Sequence, residues 1–215
     1  VQSSALTIKE QSQRIATIVQ ELLNFARSKT PQRAPVDLNR LLDETIKLLR
    51  PMAEKHQVAI NFHPWSDVAT TELDSAQMQQ VFTNLLVNAV HAMQIEATPS
   101  LENDASTPQL AQRIEVAIDR LQSAAIDPSR LTAEQPDLAE SYWRVTITDS
   151  GIGIGPDVLD NIFEPFFTTK DVGEGTGLGL SIAYGIVREH AGWIGVESQL
   201  GNGSKFTVFL PAQSR

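Results

Sequence analysis

The run GEGTGLGLSI, residues 173–182, restricts the fold more than any other stretch, because it places four glycines at alternate positions directly before an apolar, helical pattern. Glycine inside a helix costs roughly 0.5–1 kcal/mol relative to alanine. A helix N-terminus offers unpaired N–H groups and the positive end of a dipole, and glycines let the backbone approach an anion closely. The run therefore predicts a phosphate-binding helix start, with a glycine-rich hairpin or a flexible lid as the alternative.

Two common phosphate-binding motifs are absent from the sequence. There is no G-x-x-x-x-G-K-[ST], and no G-x-G-x-x-G follows a predicted strand. The net charge of −9 and the pI near 4.9 argue against nucleic acid as a partner, since no basic cluster offsets the acidic background. A polyanionic ligand must therefore be held locally, by backbone dipoles, a metal ion and a few cations.

The composition indicates one ordinary domain with an appendage, or two small domains, in 215 residues of which 41% are hydrophobic. The chain has no cysteine, which excludes disulfides and thiolate metal sites. No apolar run approaches the roughly 20 residues of a membrane span. The sequence begins with Val1 rather than Met, which suggests a fragment of a longer protein. We expect a cytoplasmic fragment, with any membrane anchor of the parent protein lying elsewhere.

An apolar seam at helical spacing marks the first segment. Residues 5–28 predict one long helix whose seam consists of Ile8, Ile15, Ile18, Leu22 and Phe25. Such a seam needs a partner helix, from this chain or from another. The stretch KTPQRAP then breaks the pattern with two prolines. We therefore divide the chain into a helix over 1–29, a linker over 30–35 and a compact domain over 36–215.

The compact domain alternates helical and strand patterns. Helices are predicted from DLNRLLDETIKLLRPMAEK, with Asp37 as the N-cap, from residues 74–93, and from LSIAYGIVREHAG, which ends at Gly192. QVAINF, YWRVTITD, WIGVESQ and KFTVFLP predict strands, the last two joined by LGNG. RIEVAIDR favours a strand, with a helix as the alternative, between loops over 95–113 and 121–141. The pattern predicts an α/β (α+β) class, a mixed sheet with helices on one face.

Three polar side chains share one face of the predicted 74–93 helix. Asn84, Asn88 and His91 stand at i, i+4 and i+7, although asparagine is a poor residue for a helix interior. An amide oxygen is a hard ligand that suits Mg²⁺, which commonly shares its coordination with substrate phosphates. The alternative interpretation is that both amides only cap or bridge neighbouring loops.

Two further motifs carry candidate functional groups. In DSGIGI, Asp149 ends a strand and could accept a hydrogen bond from an exocyclic amine, or it could form an ordinary Asx turn. In NIFEPFFTTK, the phenylalanines predict either an aromatic hinge for a mobile loop or a core plug. Lys170 of that motif is a candidate phosphate contact or a solvated lysine.

Taken in order, NLLVNAVHAM, DSGIGI, FEPFFTTK, GTGLGLSI and GNGSKFTVFLP resemble the catalytic domain of sensor histidine kinases. The first four resemble the N, G1, F and G2 boxes of that family, within the wider ATPase superfamily of gyrase, Hsp90 and MutL. FEPFFTTK, followed so closely by GTGLGL, resembles especially the nitrogen-regulation-type kinases. The family resemblance implies a two-layer sandwich, with a mixed, mostly antiparallel sheet against about three helices.

The resemblance also implies roles for individual residues. Asn88 would hold Mg²⁺ and through it the triphosphate of ATP, with Asn84 assisting, and Asp149 would receive the adenine amine. Residues 155–174 would form the ATP lid, and Asn84 and Lys170 are the candidate catalytic residues. The implied nucleotide-binding set is Asn84, Asn88, His91, Asp149, Gly151, Gly153, Thr168, Lys170, Gly175, Thr176, Gly177, Leu178 and Gly179.

The first 29 residues resemble the second helix of the family's dimerisation and phosphoacceptor hairpin. The resemblance implies a homodimer through a four-helix bundle, and a response regulator as the partner in two-component signalling. No histidine stands in the family's H-[ED]-x-x-x-P context, so the phosphorylated histidine would lie outside this chain. The alternatives are a gyrase- or MutL-like ATP hydrolase and a non-catalytic binding module. The hydrolases place a glutamate on the N-box helix, where this chain has Asn84.

Overall fold

The computed structural model describes residues 31–94, 112–122, 141–170 and 175–212. The predicted helix over 5–28 lies outside the described residues, as do most of the two long predicted loops. The helices are α1 (Leu38–Lys55), α2 (Ser75–Ala92), α3 (Pro156–Leu159) and α4 (Gly179–Glu189). The strands are β1 (Ala34–Asp37), β2 (Ala59–His63), β3 (Thr70–Leu73), β4 (Arg113–Gln122), β5 (Ser141–Asp149), β6 (Trp193–Ser198) and β7 (Ser204–Pro211).

Five strands form one mixed sheet in the order β2-β4-β5-β7-β6. The β2–β4 pair is parallel and the other three pairs are antiparallel, so the predicted mixed and mostly antiparallel sheet is confirmed. The register pairs Asp149 at the end of β5 with Ser204 at the start of β7. That pairing brings the DSGIGI turn next to the β6–β7 turn.

The three longer helices pack on one face of this sheet and bury a single large core. Both α1 and α2 begin at an aspartate N-cap, Asp37 and Asp74, whose carboxylates accept hydrogen bonds from backbone N–H groups of the first turn. The apolar stripe of α2 is buried as its spacing predicts, with Met78, Phe82 and Leu85 fully inaccessible. The polar face of α2 is thereby turned towards α4 and the FEPFFTTK motif.

The predicted strand over RIEVAIDR is confirmed but is longer than expected, and one small sheet was not predicted. RIEVAIDR lies within strand β4, which continues to Gln122, so the predicted loops are shorter at these edges. The two-stranded sheet of β1 and β3 was missed, because each strand has only four residues and β1 contains Pro35. β1 includes the last two residues of the expected linker. Among the described residues, no helix has the length and apolarity needed to cross a membrane.

Helix α4 ends at Glu189, three residues before the predicted end. His190 is the C-cap, and Ala191 follows in the left-handed region with φ +55°. The Ala191 N–H donates to Arg188 O at 3.0 Å and the Gly192 N–H to Val187 O at 3.0 Å. These two bonds form a Schellman motif, with alanine at the position where glycine is usual.

Candidate functional site

A cavity of about 790 Å³ opens between α2, the start of α4, the FEPFFTTK motif and the turns that follow β5 and β6. The structure brings together at this cavity eleven of the thirteen residues predicted to bind nucleotide. They are Asn84, Asn88, His91, Asp149, Gly153, Thr168, Lys170, Gly175, Thr176, Gly177 and Gly179.

Gly151 and Leu178 are the two candidate residues that do not line the cavity. A Cβ on Gly151 would lie 2.7 Å from the Ala92 backbone oxygen, so this glycine permits close packing against the end of α2. Leu178 is fully buried in the core at the N-cap of α4. Both residues support the site from behind its surface.

Asp149 forms one end of the cavity, where strand β5 ends. Its side chain is buried, and Oδ1 accepts hydrogen bonds from the backbone N–H of Gly151 (2.9 Å) and of Ser204 (3.2 Å). Both bonds end on Oδ1, which leaves Oδ2 without a donor among the described residues. Burial raises the pKa of Asp149, while the two backbone donors act in the opposite direction. The arrangement presents one spare carboxylate oxygen of fixed orientation.

Two glycines allow the turns around Asp149 to pack without any intervening side chain. Gly153 has φ +71°, and a Cβ there would lie 2.0 Å from the Gln199 backbone oxygen. Gly203 has φ +78°, and its Cβ would lie 2.0 Å from the Asp149 backbone oxygen. Both the left-handed backbone and the close approach require glycine. The β6–β7 turn therefore packs directly against the DSGIGI turn.

The two asparagines of α2 have different surroundings at the opposite end of the cavity. Asn84 Nδ2 donates to the Gly179 backbone oxygen at 2.9 Å and so connects α2 with the first residue of α4. The Asn88 side chain, one turn further along, has no hydrogen bond with the described residues and lines the cavity. Asn84 thus matches the bridging interpretation, and Asn88 is the amide left available for a ligand.

His91 and Lys170 lie side by side in the same part of the cavity. The distance between Lys170 Nζ and His91 Nδ1 is 2.9 Å, and a lysine ammonium can only donate, so Nδ1 accepts. Burial lowers the pKa of the half-buried His91, and the positive charges of Lys170 and then His56 lower it further. The pair therefore carries one positive charge, on Lys170.

The glycine loop before α4 contacts the FEPFFTTK motif directly. The Phe166 N–H donates to Gly177 O at 3.0 Å. Gly177 has φ +69°, and a Cβ there would lie 2.4 Å from the Phe166 carbonyl carbon. The N-cap residue of α4 makes no side-chain capping bond. The first-turn N–H groups of α4 therefore donate no hydrogen bond to the N-cap side chain.

The phenylalanines of FEPFFTTK have different surroundings. Phe163 and Phe167 pack against the core, and Phe167 also lines the cavity. Phe166 is 60% exposed and has φ +68°, a conformation that is rare for a bulky residue.

Sequence reasoning missed the wall that the β6–β7 hairpin contributes. Leu200, Ser204 and Phe206 line the cavity there, and Asp157 and Val158 line it from α3. The motif GNGS carried the only local signal, since it marks a tight turn directly before a strand. The pairing of that strand with β5, which brings it to Asp149, is a long-range contact that no local pattern shows.

The two-layer sandwich, with a cavity between helix α2 and the end of β5, defines the class of protein. Residues 73–214 match the family of histidine kinase-, DNA gyrase B- and HSP90-like ATPases. The chain belongs to this family, and within it the chain is homologous to the catalytic domains of sensor kinases.

Two curated relatives match nearly the whole chain. The sensor kinase CckA of Brucella abortus is 36% identical over 207 residues, which cover 96% of this chain and 20% of that protein. The sensor histidine kinase ZraS of Salmonella typhimurium is 30% identical over 211 residues, which cover 98% of this chain and 38% of that protein. The chain thus spans between a fifth and two fifths of the length of these relatives.

Two solved structures agree with the fold. The full-length ShkA in complex with AMPPNP aligns over 100% of this chain and 39% of that one, with a TM-score of 0.73 at 24% identity. The histidine kinase ThkA in complex with the response regulator protein TrrA aligns over 96% of this chain and 49% of that one, with a TM-score of 0.64 at 26% identity. The predicted α/β sandwich of this class is confirmed.

Proposed function

We propose that this chain is the ATP-binding catalytic portion of a sensor histidine kinase, which transfers the γ-phosphoryl group of ATP to a histidine outside the chain. The observation that carries the proposal is the asymmetry of the cavity. A buried carboxylate with a spare oxygen stands at one end, and an amide, a lysine and a helix start stand at the other. This polarity suits a nucleotide with its base at Asp149 and its phosphates at α4.

At the adenine end, the exocyclic amine of the base would donate to Asp149 Oδ2. Gly153 lines this end of the cavity and allows the close packing of the β6–β7 turn that shapes it. Leu200 and Phe206 supply apolar surface on the wall formed by the β6–β7 hairpin. A guanine presents a carbonyl oxygen where adenine has its amine, and a carboxylate oxygen repels it. The site therefore favours adenine nucleotides over guanine nucleotides.

At the phosphate end, backbone and side-chain donors converge. Gly175, Gly177 and Gly179 leave the backbone of the loop and of the helix start accessible to an anion. Thr168 and Thr176 add hydroxyl groups to the same lining. Lys170 supplies the positive charge beside His91. These groups together offset the charge of a polyphosphate inside an acidic protein.

The residues present fit a magnesium ion, since the Asn88 amide lines the cavity without a hydrogen bond to the described residues. An amide oxygen is a ligand that Mg²⁺ accepts, together with waters and phosphate oxygens. Asn88 would hold the ion, and Asn84 would support it from the next turn while bonding Gly179. When bound, the ion neutralises phosphate charge and orients the triphosphate.

The chain's own contribution to phosphoryl transfer is positioning and charge neutralisation. Lys170 would hold positive charge beside the transferred group, and Asn84 would fix α2 against the helix start. Helix α2 carries no acidic residue that could activate a water molecule, since residues 75–92 contain neither Asp nor Glu. That composition favours a transferase over a hydrolase of the same superfamily.

Calorimetric titration with ADP and AMPPNP, with and without Mg²⁺, tests the binding half of the proposal. We expect adenine-specific binding that Mg²⁺ strengthens, and at least tenfold weaker binding of GTP. Equal affinity for GTP would contradict the role of Asp149. The absence of any nucleotide binding would favour the non-catalytic binding module.

The transfer half needs a separate phosphoacceptor. We would mix the chain with Mg·ATP and a purified histidine-bearing hairpin of a sensor kinase, and then measure acid-labile phosphohistidine and free phosphate separately. Phosphohistidine without steady phosphate release is the expected result. Steady release of phosphate without transfer would identify a hydrolase instead.

The assembly of the intact protein is also part of the proposal. Residues 1–29 would form the second helix of a dimerisation hairpin, residues 30–35 the linker and residues 36–215 the catalytic domain. A response regulator would be the partner, as TrrA is for ThkA in their complex. The names of the relatives support a two-component system, and a membrane anchor would belong to another part of the protein. Sedimentation of the chain with and without residues 1–29 tests the homodimer.

A further inference from the structure

The segment that enters the catalytic domain is fastened where α2 begins and α4 ends. The Gln32 N–H donates to Asp74 Oδ2 at 3.0 Å, so this segment contributes to the N-cap of α2. The Arg33 guanidinium donates to the Glu189 backbone oxygen at the last residue of α4. The entering segment, Gln32–Arg33, thus bridges the two helix ends that lie away from the cavity.

His190 joins the same two helix ends and is only 3% exposed. Its Nδ1 lies 2.8 Å from the Ile186 backbone oxygen, which can only accept, so Nδ1 carries a proton. Its Nε2 accepts from the Asp74 N–H at 3.0 Å. Both ring nitrogens are therefore used in one neutral tautomer. A proton on Nε2 would face the Asp74 N–H and break this bond.

A second acceptor for the Asp74 N–H is already in place. Asp74 and Gln77 occupy the N-cap and N3 positions of α2, the two positions of a capping box. The Asp74 carboxylate makes its half of the box by accepting from the N–H of Ala76 (3.0 Å) and of Gln77 (3.1 Å). The reciprocal bond, from the Asp74 N–H to the Gln77 side chain, is replaced by His190. Gln77 Oε1 is left buried with no hydrogen-bond partner.

The charges around His190 come from three elements. Asp74 is the N-cap of α2, Arg33 belongs to the entering segment, and Arg188 and Glu189 directly precede His190 at the end of α4. Burial acts to raise the pKa of Asp74, but the backbone N–H groups of Gln77, Gln32 and Ala76 outweigh it and hold that pKa below its ordinary value. Asp74 thus stays ionised where imidazoles titrate, and its carboxylate is an acceptor for a protonated His190.

The two helices that meet at His190 also carry the cavity. Asn84, in the middle of α2, donates to Gly179 at the start of α4. The two helices are therefore antiparallel, with His190 at one end of the pair and the proposed phosphate site at the other. A change at His190 acts on the same two rigid elements that would bind nucleotide.

We propose that His190 is a positioning residue: its neutral ring holds the start of α2 against the end of α4 by accepting from the Asp74 N–H, and its protonation moves the Asp74 N–H and the Asp74 carboxylate to new partners. On protonation by solvent, the bond between Nε2 and the Asp74 N–H breaks. Nε2–H then donates to the Asp74 carboxylate, and the Asp74 N–H passes to Gln77 Oε1. This hydrogen-bonded junction of His190, Asp74 and the entering segment is independent of the proposed function, but its value for phosphoryl transfer rests on that function.

The test is a pH titration of the ¹⁵N-labelled full chain by NMR, from about pH 8 to about pH 5, the range in which imidazoles ionise. We expect the Nδ1–H tautomer of His190 at high pH, and shifts of the Gln32 and Asp74 N–H signals with the same midpoint as the ring. A neutral ring protonated on Nε2, or an Asp74 signal that ignores the ring, would overturn the proposal.

Two variants separate this role from a merely structural one. Gln77→Leu removes the second acceptor, so exchange of the Asp74 amide, corrected for intrinsic pH dependence, should rise about fivefold to tenfold at low pH and stay unchanged at high pH. His190→Gln keeps an acceptor that cannot titrate and should abolish the pH response. An unchanged response in either variant would contradict the proposal.

ADP titration of the same samples distinguishes this proposal from the proposed function. Retained ADP binding together with a failed pH response removes only the role of His190. A normal pH response in a chain that binds no ADP at any pH would contradict the nucleotide site but support the role of His190.

Discussion

The two ends of the cavity are built in opposite ways. At the Asp149 end, main chain packs directly against main chain. Gly203 lies close to the Asp149 carbonyl, and the N–H groups of Gly151 and Ser204 donate to the Asp149 carboxylate. At the Asn88 end, the polar side chains of Asn88, His91 and Lys170 line the cavity together with the glycine loop before α4. Asn88 has no hydrogen bond to the described residues, and Lys170 lies against a neutral imidazole.

The difference shows which end of the site is fully formed by the protein alone and which end has polar groups that only a ligand would satisfy. The shape around Asp149 depends on glycine conformations and strand register, so it exists in the protein alone. The end at Asn88 keeps spare hydrogen-bonding capacity and a positive charge, which an anion and a metal ion would satisfy. A glycine substitution at the first end should damage stability and base recognition together, whereas Asn88→Ala at the second end should change ligand binding alone.

The largest expected effect belongs to Gly203→Ala. The added Cβ would meet the Asp149 carbonyl in a left-handed backbone, so we expect the free energy of unfolding to fall by about 3 kcal/mol or more, with loss of ADP binding. Gly201→Ala is the matched control, because Gly201 has φ +80° but nothing within 4 Å of its Cβ position. It should cost only about 1–2 kcal/mol in urea unfolding. Equal losses would refute the steric argument.

Asp149→Asn should separate stability from binding at the same end. An asparagine Oδ1 can still accept from Gly151 and Ser204, but Nδ2 replaces the free oxygen and repels the adenine amine. We expect ADP affinity to fall by about 10- to 100-fold in calorimetry. An affinity within threefold of wild type would remove Asp149 from the adenine site.

The same variant should be more stable than wild type at neutral pH. Because the fold raises the pKa of Asp149, the folded state retains a proton that the unfolded state has already released. Wild-type stability therefore falls as pH rises from the ordinary value of 3.8 through the raised pKa, and it stays lower above that interval. The Tm advantage of the variant should vanish as pH drops below that ordinary value. An advantage that persists in acid would have another cause.

How much of this could be predicted from the sequence depends on the range of the interaction. Helix α2, its N-cap Asp74 and the face shared by Asn84, Asn88 and His91 follow from local periodicity, and the structure places that face in the cavity. The short pair β1–β3 and the wall formed by the β6–β7 hairpin depend on long-range pairing, which no local window contains. Gly151 was predicted as a ligand contact, but in the structure a glycine is needed there because the Ala92 backbone lies too close for a Cβ.

The proposal of ATP and Mg²⁺ as ligands rests on the order of the motifs rather than on any one residue. Each motif alone allowed a structural interpretation, and the structure shows that Asn84 does make a bridging bond. The nitrogen-regulation likeness, the helix over 5–28 and the dimer remain predictions. The helix over 5–28, and with it the predicted dimer, involves residues outside the described ranges.

Asn88→Ala and Asn84→Ala test the other end of the cavity as a pair. Asn88→Ala should abolish the part of the ADP affinity that depends on Mg²⁺, about tenfold, and leave Tm unchanged, because no hydrogen bond to the described chain is lost. Asn84→Ala removes the bond to Gly179 and should lower stability by about 1 kcal/mol. Mg²⁺-dependent binding that survives in Asn88→Ala would overturn the metal assignment. A stability loss in Asn88→Ala equal to that in Asn84→Ala would remove the distinction between the two amides.

The smallest effect is expected for Lys170→Met, which keeps the length of the side chain and removes its charge. The pKa of His91 should move up towards its ordinary value but not reach it, because burial, the larger cause, remains. Titration of the His91 ring by NMR measures this directly. ADP affinity should fall only severalfold, since backbone groups at α4 still face the phosphates. A His91 pKa that is unchanged or lower in Lys170→Met would show that the 2.9 Å contact is not the source of the perturbation.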